Sequence, residues 1–117
     1  MIVALVSAPP GFTIGPLPEG AKLRRGARGL ADLVVWFVGS RPELSWEIRR
    51  ISEFAGGAPL WIFWRKPAGR GRAHGSVSAP SEQSVREAGL AAGLVDSKVC
   101  AIDEEWSGLR FTPRRQR

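Results

Sequence analysis

The sequence predicts an α/β fold: a small, open, mostly parallel sheet with a C-terminal antiparallel hairpin and two main helices on one face. Three observations lead there. Continuous apolar runs at residues 2–8, 33–38 and 58–65 do not alternate, which is the pattern of strands buried on both faces. Two stretches between and after them carry helical periodicity, and only the C-terminal stretch alternates as a half-buried hairpin does.

Taken in order, the run at 2–8 ends at Pro9, Pro10 and Gly11, and the glycines and prolines of "GFTIGPLPEG" leave room for one helical turn at most. A short, weak strand is expected at 21–25. "ADLVVWFVGS" holds the clearest strand, rich in β-branched and aromatic residues. Pro42 opens the better helix, with Ser40 as its cap. Leu44, Ile48, Ile51 and Ala55 recur on one face of it, and Gly56 and Gly57 stop it. "APLWIFWR" follows as the third double-faced strand, and "KPAGRGRAHGSVSAP" reads as a long loop. The second helix, 82–92, starts at Ser81 or at Ser84, the latter with Glu87 at capping-box spacing. Its small face, Val85, Ala88 and Ala92, lets it approach a sheet closely, and Gly93 ends it. "LVDSKVCAID" alternates, placing Val95, Ser97, Val99 and Ala101 on one side. "GLRFT" is extended, so "EEWSG" is the hairpin loop, Asp103, Glu104 and Glu105 its solvated tip, and Trp106 a lid over the core edge.

A single domain over residues 1–112, with a basic tail at 113–117, fits the 117-residue length. Folding at that size removes roughly two thirds of the surface of the unfolded chain. Seventeen Lys and Arg against eleven Asp and Glu leave a net charge of +6, which favours anionic partners. Cys100 is the lone cysteine, so an intramolecular disulfide and a cysteine-built zinc site are both excluded. It reads as a small buried hydrophobe in a reducing, cytoplasmic setting. The opening residues lack the basic leader of a secretory signal, and no apolar run approaches the ~18 residues of a membrane span, so no membrane association is expected. His74, the only histidine, has no Cys, Asp or Glu at ligand spacing, and no nucleophile-elbow pattern surrounds Ser40, Ser76 or Ser107. No metal and no catalytic residue is assigned.

The succession of strands and helices resembles a cut-down Rossmann-like methyltransferase domain. The segments "APPGF" at 8–12, "LPEG" at 17–20, "ADLVVWFV" at 31–38, "LWIFWRKPAGRGRAHG" at 60–75 and "AGLAAGLVDSKVCAIDEEWSGLRF" at 88–111 span nearly the whole chain. Through them the chain more closely resembles a family of small bacterial proteins labelled domain of unknown function 3052. The resemblance implies a fold rather than a reaction. Methyltransferases of this kind bind their cofactor with an acidic, Gly-rich turn after the first strand and a carboxylate at the end of the second. This chain has Pro9 and Pro10, which lack backbone N–H groups, at the first place, and Lys22, Arg24, Arg25 and Arg28 around the second. No cofactor is therefore assigned.

Ligands of open parallel sheets bind beyond the carboxyl ends of the strands. Here Arg24, Arg25, Arg28, Arg41, Arg65, Lys66, Arg70 and Arg72 crowd that edge, with the acidic triplet set to offset them. The candidate ligand set is Pro10, Gly11, Arg24, Arg25, Ser40, Arg65 and Lys66, for a small anionic, phosphate-bearing ligand. With both helices on one face, the apolar reverse face is expected to be bare unless "GFTIGPLPEG" folds back over it. Trp36, Trp61 and Phe63 are the expected interface residues of a homodimer. The leading reading is a non-catalytic, dimeric domain that binds a small anion. A basic nucleic-acid-associated protein, with Arg114, Arg115 and Arg117 tracking phosphates, comes second, and an S-adenosylmethionine-dependent methyltransferase third.

Overall fold

The computed structural model describes residues 2–9, 20–26, 29–66, 79–102 and 105–113. Along the chain lie β1 (Ile2–Val6), β2 (Lys22–Arg25), β3 (Leu33–Phe37), α1 (Arg41–Ala55), β4 (Leu60–Arg65), α2 (Glu82–Ala91), β5 (Leu94–Ala101) and β6 (Trp106–Pro113). The strands form one sheet in the order β2-β1-β3-β4-β6-β5. β1 to β4 are mutually parallel, and β6 runs antiparallel between β4 and β5. The α/β class and the antiparallel C-terminal hairpin are as the sequence predicts.

Helix boundaries have local causes. Ser40 Oγ accepts from the Glu43 N–H at 3.2 Å, Pro42 sits in the first turn of α1, and Gly56 ends the helix at φ 61°. At α2 the cap is Ser81, and the Ser84–Glu87 alternative is not used. Ser81 Oγ accepts from the Ser84 N–H at 3.1 Å while Ser84 Oγ accepts from the Ser81 N–H at 2.8 Å. The two hydroxyls thus satisfy each other's backbone donors one turn earlier than a Glu87 box would.

Both helices cover the same face. Leu44, Ile48, Ile51 and Ala55 of α1 and Val85 of α2 pack with Val34, Trp36, Ile62, Trp64, Leu109 and Phe111 of the sheet. The close approach of α2 is made by Gly89, where an added Cβ would lie 2.2 Å from Cε1 of Phe111.

The reverse face corrects two expectations. Trp36 pairs with Ile62, whereas Val35 pairs with Trp61 and Phe37 with Phe63. Side chains alternate along a strand and cross-strand partners share a face. Trp36 therefore lies under the helices, 1% exposed, and cannot share an interface with Trp61 and Phe63. Nor is the reverse face bare: Phe37 and Phe63 are only 3% and 6% exposed in the single chain, while the expected alternative cover by "GFTIGPLPEG" falls at 11–19, outside the described residues. Val3, Leu5, Val35, Phe37, Phe63 and Trp106 form this second core, with Ala8, Leu33, Trp61 and Ile102 packed around it. Phe37 meets the Phe63 and Trp106 rings edge-on, at centroid distances of 5.1 and 5.2 Å. The lid assigned to Trp106 is thus seen, and it contributes cover that helices do not.

Two details of the hairpin differ from the sequence expectation. β6 begins at Trp106, which pairs with Arg65, and Ser107 pairs with Trp64, so the loop is shorter than "EEWSG". In β5 the register steps from Asp96↔Phe111 to Lys98↔Arg110, leaving Ser97 as an extra residue. One extra residue reverses the alternation. Val95 consequently shares a face with Thr112 and Val99 with Leu109, on opposite sides of the sheet. Among the described residues, no helix is long and apolar enough to cross a membrane.

Candidate functional site

From β1 the chain passes to β2 on one side, and β3 lies on the other, so the crevice between the carboxyl ends of β1 and β3 is the topological switch point of the sheet. A cleft of about 320 Å³ opens there. Its walls are Ser7 and Pro9 beyond β1, Phe37, Val38 and Gly39 at the end of β3, and Glu43 in the first turn of α1. Arg65 at the end of β4 and Trp106 at the start of β6 complete them.

Each wall has a local origin. Ser7 holds φ at 61°, the left-handed region that a non-glycine residue occupies at a cost of about 1 kcal/mol or more. Such strain is found where a chain must turn sharply at a site. Glu43 turns back to accept from the Gly39 N–H at 3.2 Å, while its own N–H is taken by Ser40. Arg65 leaves the end of β4, donates through Nη1 to Glu105 Oε2, and places Cζ 4.9 Å from the centre of the Trp106 ring. Glu105 is held there by its backbone, since its carbonyl accepts from the Lys66 N–H at 2.8 Å.

The residues expected from sequence fall into three groups. Arg65 lines the cleft, and Ser40 and Lys66 sit directly beside its walls through the contacts just given. Arg24 and Arg25 lie at the end of β2 and do not line it. Arg24 instead donates through Nη2 to the Leu30 carbonyl at 2.7 Å. Pro10 and Gly11 fall outside the described residues, as do Arg28, Arg70, Arg72, His74 and residues 114–117 of the tail. Arg41 Nε likewise donates to a neutral carbonyl, that of Ala79, at 3.0 Å, so Arg24 and Arg41 spend donors within the chain while keeping their charge. Sequence reasoning passed over Ser7, Phe37, Gly39 and Glu43 as site residues. Only Glu43 carries a signal, three residues after the Ser40 cap. The acidic triplet does offset the basic edge through Glu105; Asp103 and Glu104 lie outside the described residues.

Away from the cleft, Arg86 of α2 donates to Asp96 at 3.1 Å and to Glu82 at 2.9 Å. These carboxylates, Asp96 foremost, hold the guanidinium pKa above its ordinary value. This pairing ties α2 to β5.

No family model matches the chain, and no curated protein matches it in sequence. The narrower resemblance to the domain of unknown function 3052 family is thus without a matching family model. Among solved structures the chain is similar to magnesium protoporphyrin IX methyltransferase (ChlM) from Synechocystis PCC 6803. With bound SAH, that structure aligns at 14% identity over 81% of this chain and 52% of that chain, with a TM-score of 0.57. With bound SAM, the figures are 15% identity, 84% and 49%, and a TM-score of 0.56. The chain spans about half the length of that enzyme. At such identity the likeness speaks for architecture alone. What the strand order, the hairpin and this likeness establish together is an α/β domain of methyltransferase-like, Rossmann-like fold.

Proposed function

We propose that the chain is a non-catalytic binding domain that takes a small anionic ligand in the switch-point cleft, with Arg65 as the group that meets the anion. One observation carries this reading: the cleft coincides with the crevice where open α/β sheets bind ligands, and a guanidinium stands in its wall. The carboxylate in that lining, Glu43, already accepts from the Gly39 N–H, which favours binding over acid–base chemistry. Calorimetry with AMP, ATP and inorganic pyrophosphate tests the reading. Binding is expected to be lost in Arg65→Ala and kept in Arg49→Ala, an exposed α1 position outside the cleft walls. Failure of every anion to bind, or equal binding by Arg65→Ala, would sink it.

A second reading, S-adenosylmethionine binding and methyl transfer, is favoured by the fold likeness to an enzyme solved with SAM and SAH. Against it stand Arg24 and Arg25 at the end of β2, where such enzymes place a carboxylate for the ribose. Micromolar S-adenosylmethionine binding in the same experiment would move the conclusion to methyl transfer.

A further inference from the structure

The Arg65–Glu105 pair raises a question about the ligand itself, because the cleft's anion-binding group already holds an anion. The two side chains are 62% and 57% exposed, so the pair is solvated, weak and breakable. Glu105 is nevertheless well placed, because Lys66 N–H holds its carbonyl at 2.8 Å and Ile102 N–H holds the next carbonyl, that of Trp106, at 2.9 Å. A carboxylate tethered this way competes at an effective concentration of about millimolar or above. Arg65 has a second support that does not depend on Glu105. Its guanidinium lies over Trp106, and Trp106 is itself buried against Phe37. Loss of the Glu105 contact therefore leaves a guanidinium still stacked at the cleft wall, with donors open to an incoming group.

We infer that Glu105 is an internal competitor for the anion site, and that the ligand displacing it carries a phosphate rather than a lone carboxylate. The inference rests on the reading of the cleft as an anion site. A free carboxylate, in a mono- or a dicarboxylic acid, offers Arg65 the same chemical group as Glu105 but without the tether, so it has no advantage. A phosphate brings a charge of about −1.5 to −2 and three acceptor oxygens, and forms the stronger charge-assisted bonds with a guanidinium. Competition from Glu105 lowers the affinity of every anion by one common factor. Weak carboxylates then drop below useful affinity while phosphates stay above it.

Calorimetry with inorganic pyrophosphate and malonate, on the full chain and its Glu105→Ala, Glu105→Gln and Arg65→Ala variants, tests this. The unaltered chain is expected to bind pyrophosphate about tenfold more tightly than malonate. Glu105→Ala should tighten both by the same factor, about two- to fivefold, the size of a solvated ion pair expressed as affinity. Glu105→Gln should tighten both in the same ratio, and Arg65→Ala should lose both. A gain clearly larger for the more highly charged pyrophosphate than for malonate would mean that Glu105 acts through its field alone, and would overturn the competition. Unchanged affinities in Glu105→Ala, with Arg65→Ala still defective, would overturn this inference and leave the anion site standing. Absence of binding to the unaltered chain and to Glu105→Ala alike would remove the anion site itself.

Discussion

A single absent methyl group sets the spacing between α2 and the sheet. At Gly89 an added Cβ would come within 2.2 Å of Cε1 and 2.6 Å of Cζ of Phe111, a ring with no exposed surface. Alanine improves helix propensity by about 1 kcal/mol, whereas forcing a buried ring aside costs about 1–3 kcal/mol and sometimes more. Gly89→Ala is therefore expected to lower the urea midpoint, with a net loss of up to about 2 kcal/mol. Ser7 predicts the opposite sign. Its φ of 61° strains a serine, and glycine relieves that strain at an unfolded-state cost of about 0.4–1 kcal/mol. Ser7→Gly should raise the midpoint, a gain of up to about 1 kcal/mol in stability, and a lower midpoint would show that the strain is offset by contacts of the serine itself. Neither effect was legible in the sequence. The small face of α2 was, but which small residue meets a ring depends on where Phe111 falls in a strand far along the chain.

For whole elements, propensity and capping carried most of the prediction. The start of α1 follows from Ser40 and Pro42, and its buried face from the spacing of Leu44, Ile48, Ile51 and Ala55. At α2 the sequence offered two caps, and the reciprocal Ser81–Ser84 bonds decide between them. Ser81→Ala should cost about 1 kcal/mol in denaturant titration, while Glu87→Ala, an exposed position, should change little. A loss in Glu87→Ala with none in Ser81→Ala would return the cap to Ser84. β5 shows why strand faces were harder to read. The apolar alternation of Val95, Val99 and Ala101 is real in the sequence, yet Ser97 bulges in the register with β6 and sends Val95 and Val99 to opposite faces. A bulge belongs to a pair of strands, so the sequence of one strand does not disclose it.

For the molecule as a whole, the two cores on either side of β1, β3 and β4 predict a gradient of stability. Amides of β3 and β4, central and buried on both faces, should exchange most slowly, and those of the edge strands β2 and β5 fastest. Burial of Phe37 and Phe63 within one chain weakens the area argument for a dimer formed through the reverse face. Light scattering at micromolar concentration is expected to show the mass of one chain, 12.7 kDa, and a doubled mass would restore the homodimer. The elements and their class could be read locally, because unbroken apolar runs, helical spacing and caps act over a few neighbouring residues. The sequence also placed Arg65 among the candidate ligand residues from its position at a strand end, and Arg65 does line the cleft. Packing in three dimensions settled which faces Trp36, Val95 and Val99 occupy, that Trp106 closes the reverse core, and that Ser7, Glu43 and Arg65 line one cleft with Glu105 held against Arg65. Those outcomes depend on strand register and on contacts between distant segments, which no local run of residues encodes.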